Sequence, residues 1–159
     1  MERPTNDVDF MGRALAMATR AADCQEVPVG AVVVKEGRVI GEGWTRPIGD
    51  HDPTAHAEIV AMRDAARHLQ NYRLEGAVLY VTLEPCPMCI GAALNARLAR
   101  VVFGAWDPKA GACGSVFDLP RHPKLTHRID VFGGVCSERC GELLRDFFVK
   151  RRSRGANSE

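Results

Sequence analysis

Apolar residues at Met11, Ala14, Leu15, Ala18, Ala21 and Ala22 recur at three- and four-residue steps, which places them on one helix face. Thr5 or Asn6 stands ahead of them as a cap. From Gly30 to Lys35 the pattern becomes a short run centred on Val32, Val33 and Val34 that reads as a strand, and Arg38 to Trp44 returns after Glu36-Gly37 as the second arm of a hairpin. Residues 45–53, rich in Gly, Pro, Asp and His, read as a loop. Thr54 is the expected cap of a helix to about Leu69, with Ile59, Met62 and Ala66 on one face.

Residues 77–82, Ala-Val-Leu-Tyr-Val-Thr, form a short and almost wholly apolar run, as a strand at the centre of a sheet does. Pro85 to about Arg97 predicts a helix and Arg100 to Ala105 another strand. Residues 106–128 predict a long loop with short helical turns. An edge strand is expected over 128–132 and a closing helix from Ser137 to about Arg152. Alternation of strand and helix from 30 to 105 predicts a layered α/β sheet. No repeat or low-complexity linker interrupts it.

Length sets the scale of the core. The 159 residues suit a single domain, with a core over about 7–152 and a flexible basic tail over about 153–159. A chain of this size buries roughly two-thirds of its extended surface and needs no disulfides to fold. No apolar run approaches the ~18 residues of a membrane span, and the first residues lack the basic-then-apolar build of a signal peptide. The expectation is a soluble cytoplasmic protein, so its six cysteines call for metal, catalysis or burial rather than disulfides.

Cys86 and Cys89 lie three apart at an expected helix start, where their sulfurs face one way. Pro87 suits the first helical position, and the free N–H groups there lower a thiol's pKa toward the thiolate. With His56 they make three zinc ligands and leave a fourth position open, the mark of a catalytic rather than a structural site. A redox-active pair of that spacing would come early in the chain, after the first strand. A structural site would need Cys113, Cys136 or Cys140 as a fourth ligand. Cys136 and Cys140, four apart on a helix, read as small core residues. Glu58, two residues after His56, would face elsewhere mid-helix; the two converge only if the metal sits against the helix end.

His56-Ala57-Glu58 followed by Pro85-Cys86-Pro87-Met88-Cys89 reproduces the H-x-E…P-C-x-x-C signature of zinc-dependent nucleoside and nucleobase deaminases. Val27-Pro28-Val29-Gly30-Ala31, Gly41-Glu42-Gly43-Trp44, the block from His51 to Glu58 and that from Tyr80 to Cys86 resemble the bacterial tRNA-specific adenosine deaminases. So do Gly104-Ala105-Trp106-Asp107-Pro108-Lys109 and Asp146-Phe147-Phe148, and the likeness spans roughly residues 7–152. The resemblance implies a three-layer α/β/α fold with a mixed five-stranded sheet, a homodimer, and one zinc per subunit held by His56, Cys86 and Cys89. It implies conversion of the wobble adenosine of an arginine tRNA anticodon to inosine. Glu58 would take a proton from water, pass it to the ring nitrogen and then protonate the departing ammonia. Two thiolates cancel the formal charge of zinc, so the water is less acidified than at an all-His site and Glu58 matters more.

The same resemblance places Val27, Thr45, Pro47, Ala57, Asp107, Lys109, Thr126, His127 and Phe148 around the extruded base and its neighbours. Thr45 and Thr126 each stand where an Asn is expected, and each lacks the amide donor and carbonyl acceptor of that residue. Residues 145–154 hold Arg145, Lys150, Arg151, Arg152 and Arg154 against Asp146 alone, a local +4 that leaves −3 for the rest of the chain. That asymmetry, beside Phe147 and Phe148, suits contact with RNA phosphates, with Lys150, Arg151 and Arg152 the candidates. It equally suits a solvated helix end. Two other functions remain open at this level: a deaminase of free guanine or cytosine derivatives, and a non-catalytic, zinc-bearing RNA-binding subunit. Glu58 argues against the second, because a subunit without turnover has no use for a proton carrier.

Overall fold

The structure, a computed structural model, describes residues 4–157. Helix α1 (Pro4–Asp23) leads into the hairpin of β1 (Gly30–Lys35) and β2 (Arg38–Trp44). A short α2 (Pro47–Asp50) and α3 (Ala57–Leu69) precede β3 (Val78–Leu83), followed by α4 (Pro87–Asn95) and β4 (Arg100–Ala105). A 3-10 turn at Leu119–Arg121 interrupts the long loop before β5 (Asp130–Gly133) and α5 (Ser137–Asn157). The sheet runs β2-β1-β3-β4-β5, antiparallel between β2, β1 and β3 and parallel from β3 through β5. This is the mixed five-stranded α/β/α architecture that the resemblance implied.

The strand alternation divides the core. Ala31, Val33, Leu79, Val81, Val101 and Phe103 point to one face, where they pack with Ile59, Ala61, Met62 and Ala65 of α3 and Cys89, Ile90 and Ala93 of α4. Val32, Val34, Tyr80 and Val102 point to the other, against Met11, Ala14 and Leu15 of α1 and Cys140 of α5. Cys140 is fully buried, as expected of a small core residue, whereas Cys136 stands just before the start of α5 and packs against that core only partly buried. On the α1 side the Tyr80 hydroxyl donates to Asp7 at 2.7 Å and Arg100 pairs with Asp7 at 3.0 Å, which ties α1 to β3 and β4. Burial, and then that hydrogen bond, push the Tyr80 phenol well above its usual range.

Several boundaries differ from the expectation. Helix α1 already runs at Pro4, so Asn6 lies within its first turn and is not its cap; the side chain of Thr5 lies outside the described residues. The cap of α3 is His56, not Thr54, whose N–H and hydroxyl both donate to Asp52 Oδ1 at 2.8 Å in a turn before the helix. Local Asx-turn chemistry outcompeted the helix cap at that position. Helix α2 forms inside the expected loop, and α5 continues past Arg152 to Asn157 through most of the stretch expected as a tail.

Helix α3 lies very close to the hairpin. A Cβ on Gly41 would run into the backbone of Ala61, and one on Gly43 would meet it at 2.5 Å. Glycine at these positions lets α3 sit directly on β2. Gly41→Ala should therefore lower stability by about 1–3 kcal/mol, the usual range for forced overpacking. The check is a lower urea midpoint at unchanged m-value.

Candidate active site

Helices α3 and α4 begin side by side, and each starts on a candidate ligand. His56 is the N-cap of α3, in extended conformation (φ −70, ψ 153), and Cys86 is the N-cap of α4 (φ −82, ψ 173) with Pro87 behind it. Neither residue caps its helix through its side chain, which leaves imidazole and thiol free to turn toward each other. His56 Nδ1 lies 3.5 Å from the sulfurs of both Cys86 and Cys89, and the three donor atoms fall within 4.8 Å of one another. An imidazole nitrogen and two thiols form a donor set that zinc favours, and three ligands leave its fourth position open.

Because His56 lies just outside the helix, the mid-helix rule that separates residues i and i+2 does not apply. Glu58 stands in the first turn of α3 and is 4% exposed, and it lines the same cavity as His56 and Cys86. Burial dominates its titration and raises its carboxyl to about 7, against the lowering pull of its own backbone N–H and of His56. Hydrogen bonding from Cys89 first, and then from His56, holds Cys86 down to about 4, while that same bond to Cys86 and burial push Cys89 up. The His56 imidazole is raised, chiefly by its contact with Cys86.

The cavity measures about 280 Å³ and is walled by Val27, Val29, Thr45, Pro47, Leu83, Glu84, Asp107 and Ala110 around His56, Glu58 and Cys86. Four residues expected around a substrate, Val27, Thr45, Pro47 and Asp107, therefore line it. Ala57 is buried beneath and does not line it. Lys109 and Phe148 line a separate cavity of about 520 Å³ on α5, with Leu144, Arg145, Val149, Arg151 and Arg152. Lys150 lies with Arg151 on the α1-facing side of that helix. Thr126 and His127 line a third groove, with Arg63, Met88 and Arg97, and His127 Nε2 lies 2.7 Å from the Leu98 carbonyl oxygen. One chain thus divides the expected substrate residues among three surfaces.

Thr45 commits its hydroxyl proton to the Val29 carbonyl at 3.2 Å, so toward the cavity it offers an acceptor only. Val29, Leu83, Glu84 and Ala110 do not stand out in the sequence. Of these only Glu84 carries a signal: an acidic residue closing an apolar strand two positions before a ligand cysteine.

Residues 4–105 match the family model described as the cytidine and deoxycytidylate deaminase zinc-binding region. A tRNA-specific adenosine deaminase of Haemophilus influenzae is 51% identical over 147 residues, 92% of this chain and 85% of that protein. One of Bacillus subtilis is 41% identical over 150 residues, 94% of this chain and 93% of that protein. A structure solved in work on A-to-I editing by tRNA:A34 deaminases at the wobble position of transfer RNA superimposes with a TM-score of 0.83. It is 45% identical and covers 86% of this chain and 99% of its own.

At about pH 6 an ordinary thiol is almost wholly protonated and slow to alkylate. In chelator-treated protein, iodoacetamide should nevertheless modify Cys86 at that pH, and faster than the exposed Cys24. Cys113 and Cys140, pushed by burial to about 12 and about 11, should stay unmodified. Peptide mapping by mass spectrometry reads the order of labelling, and prior loading with zinc should abolish the Cys86 product.

Proposed function

The chain belongs to the cytidine and deoxycytidylate deaminase zinc-binding family, among its tRNA-specific adenosine deaminases, and from this premise we propose how it converts a wobble adenosine to inosine. The observation that carries the reading is Glu58, a buried carboxylate facing the same narrow cavity as His56 and Cys86, whose donor atoms group with that of the buried Cys89. We assign those three residues to one zinc per subunit, within a single domain formed by the whole chain. Bound there, zinc supplies an acidified water.

Proton traffic falls to Glu58. It accepts one proton of the attacking water and delivers it to N1 of adenine as C6 becomes tetrahedral. It then takes the proton of the new C6 hydroxyl as the carbonyl forms and passes it to the amine, which leaves as ammonia. Water and adenosine in, inosine and ammonia out, the balance closes with Glu58 returned to its starting state. Burial that raises its carboxyl to about 7 suits this shuttle, because near neutrality the group both accepts and releases a proton. Val27, Val29, Pro47 and Leu83 supply apolar walls that exclude bulk water. A cavity of about 280 Å³ admits one base and not a duplex, so the substrate base must be unpaired and extruded.

Recognition of the RNA strand is assigned to the α5 groove. Lys109, Arg145, Arg151 and Arg152 bring four cations to one lining that holds no acid among the described residues, with Phe148 beside them. Phe147 and Phe148 stand edge to face at 5.5 Å, a surface suited to base stacking. Lys109 sits two residues from Asp107, so this groove adjoins the catalytic cavity through one loop. Lys150 extends the cationic surface. We propose a homodimer, in which the separate groove of Thr126 and His127 would serve RNA held by the other copy. We further propose an arginine tRNA as substrate and the cytoplasm as location. Among the described residues no helix is long and apolar enough to cross a membrane.

Incubated with an arginine tRNA anticodon stem-loop, the zinc-loaded protein should produce inosine at the wobble position, detected by mass spectrometry. Guanine, cytosine and free adenosine should remain unchanged; turnover of a free base with the RNA untouched would overturn the RNA assignment. Glu58→Ala should keep one zinc per chain by metal analysis and lose about 100-fold or more in turnover. Cys86→Ala should lose the zinc. Replacing Lys150, Arg151 and Arg152 together by Ala should weaken stem-loop binding and flatten its salt dependence. The log–log slope should fall by up to about 2, at roughly 0.7 for each phosphate that is no longer neutralised.

A further inference from the structure

Glu26 and Glu84 are buried, at 4% and 2% exposure, and neither forms an ion pair among the described residues. Both carboxylates instead accept hydrogen bonds on each oxygen from segments that wall the catalytic cavity, four at Glu84 and two at Glu26. Glu84 Oε1 accepts the N–H of Asp107 at 3.0 Å and the hydroxyl of Ser115 at 2.5 Å. Its Oε2 accepts the N–H groups of Cys113 at 2.9 Å and Ser115 at 3.1 Å. The chain from 107 to 115 is thus wrapped around one carboxylate. A Cβ on Gly111 would run into that carboxylate, so only glycine allows the wrap to close. Glu26 does the same for the opposite wall: Oε1 accepts the N–H of Ile48 at 3.3 Å and Oε2 that of Gly49 at 2.7 Å, in the short α2 that begins at Pro47.

We propose that Glu26 and Glu84 are positioning residues that set the width of the substrate cavity, Glu26 through Pro47 and Glu84 through Asp107 and Ala110. The inference rests on the assignment of this cavity to the tRNA adenosine. The loop held by Glu84 also carries Lys109, so the same anchor aligns the cationic groove with the cavity. A carboxylate is required because both oxygens of each side chain accept. An amide offers one acceptor oxygen and turns an N–H₂ toward donors on the other side, leaving them unsatisfied. Backbone ties such as Ala112 N–H to Pro85 O at 2.8 Å and Gly111 N–H to Asp107 O at 3.0 Å close the loop on itself, while the N–H groups of Asp107, Cys113 and Ser115 are the ones met by the carboxylate. An active site whose supporting hydrogen bonds are lost admits its substrate in many poses and binds the productive one less well.

The test is hydrogen exchange and kinetics on zinc-loaded Glu84→Gln and Glu26→Gln. Glu84→Gln should speed exchange at Asp107, Cys113 and Ser115 by about tenfold or more and leave Ile48 and Gly49 at their wild-type rates. Glu26→Gln should do the reverse. Each should keep its zinc and raise KM for the stem-loop about tenfold, with kcat changed less. Ser115→Ala, which removes one donor and touches no cavity wall, should give a smaller rise in KM, and should add little when combined with Glu84→Gln because both act through one anchor. It serves as the probe if Glu84→Gln does not fold. Exchange within twofold of wild type at the named amides would overturn the proposal, as would loosened amides with KM unchanged. If the wild-type protein leaves the stem-loop untouched, the substrate assignment has failed instead, and the exchange data still decide whether the two carboxylates hold the walls.

Discussion

Helices α3 and α4 start against one another on one face of the sheet, and the arrangement of the cavity depends on that abutment. Each start leaves a residue in extended conformation with its side chain unused for capping, His56 in one and Cys86 in the other. The close seating of α3 on β2, allowed by Gly41 and Gly43, fixes where the first start lies. The parallel β3–α4–β4 crossover fixes the second. An atom-scale metal site is in this way a consequence of how two helices are pressed onto a sheet. Side-chain flexibility contributes little, since Cys89 is fully buried and His56 and Cys86 are only partly exposed.

Burial acts on Glu84 and Glu58 with opposite results. Glu84 is wrapped by one hydroxyl and three N–H groups, and together these outweigh burial, the largest single influence, to hold its carboxyl below the usual range. Glu58 lies as deep but faces two sulfurs and a single N–H, so burial wins and its carboxyl rises to about 7. Glu26 is met by two N–H groups of α2. The contrast separates work from support. The Glu84 carboxylate, surrounded by donors, keeps its charge and a loop folds around it, whereas the under-saturated Glu58 is able to exchange a proton near neutrality.

Much of this was legible along the chain. The hydrophobic pattern located the strands and four of the five helices, because the inner strands and the long helices pack apolar side chains against one another. Strand β5, with no residue fully buried, was legible only as an edge strand. The 4-residue α2 escaped, since a helix that short has no apolar stripe and its first N–H groups, those of Ile48 and Gly49, are met by the distant Glu26. Thr54 reads as a cap because the Asp52 that binds it lies two residues upstream, and a capping residue and an Asx-turn partner look the same in composition.

The sequence by itself determined which residue types stand at the helix starts, and hence the zinc-type donor set, the acid beside it and the family. Those properties follow from local spacing and from chemistry that each residue carries wherever it is placed. Tertiary structure alone decided that His56 and Glu58 face one cavity, that Thr126 and His127 do not reach it within one chain, and that Glu26 and Glu84 anchor opposite walls. Periodicity tells which face of an element a residue occupies. Only packing decides which distant loop that face will meet, and a buried carboxylate becomes an anchor or a proton carrier according to the donors that the loop brings.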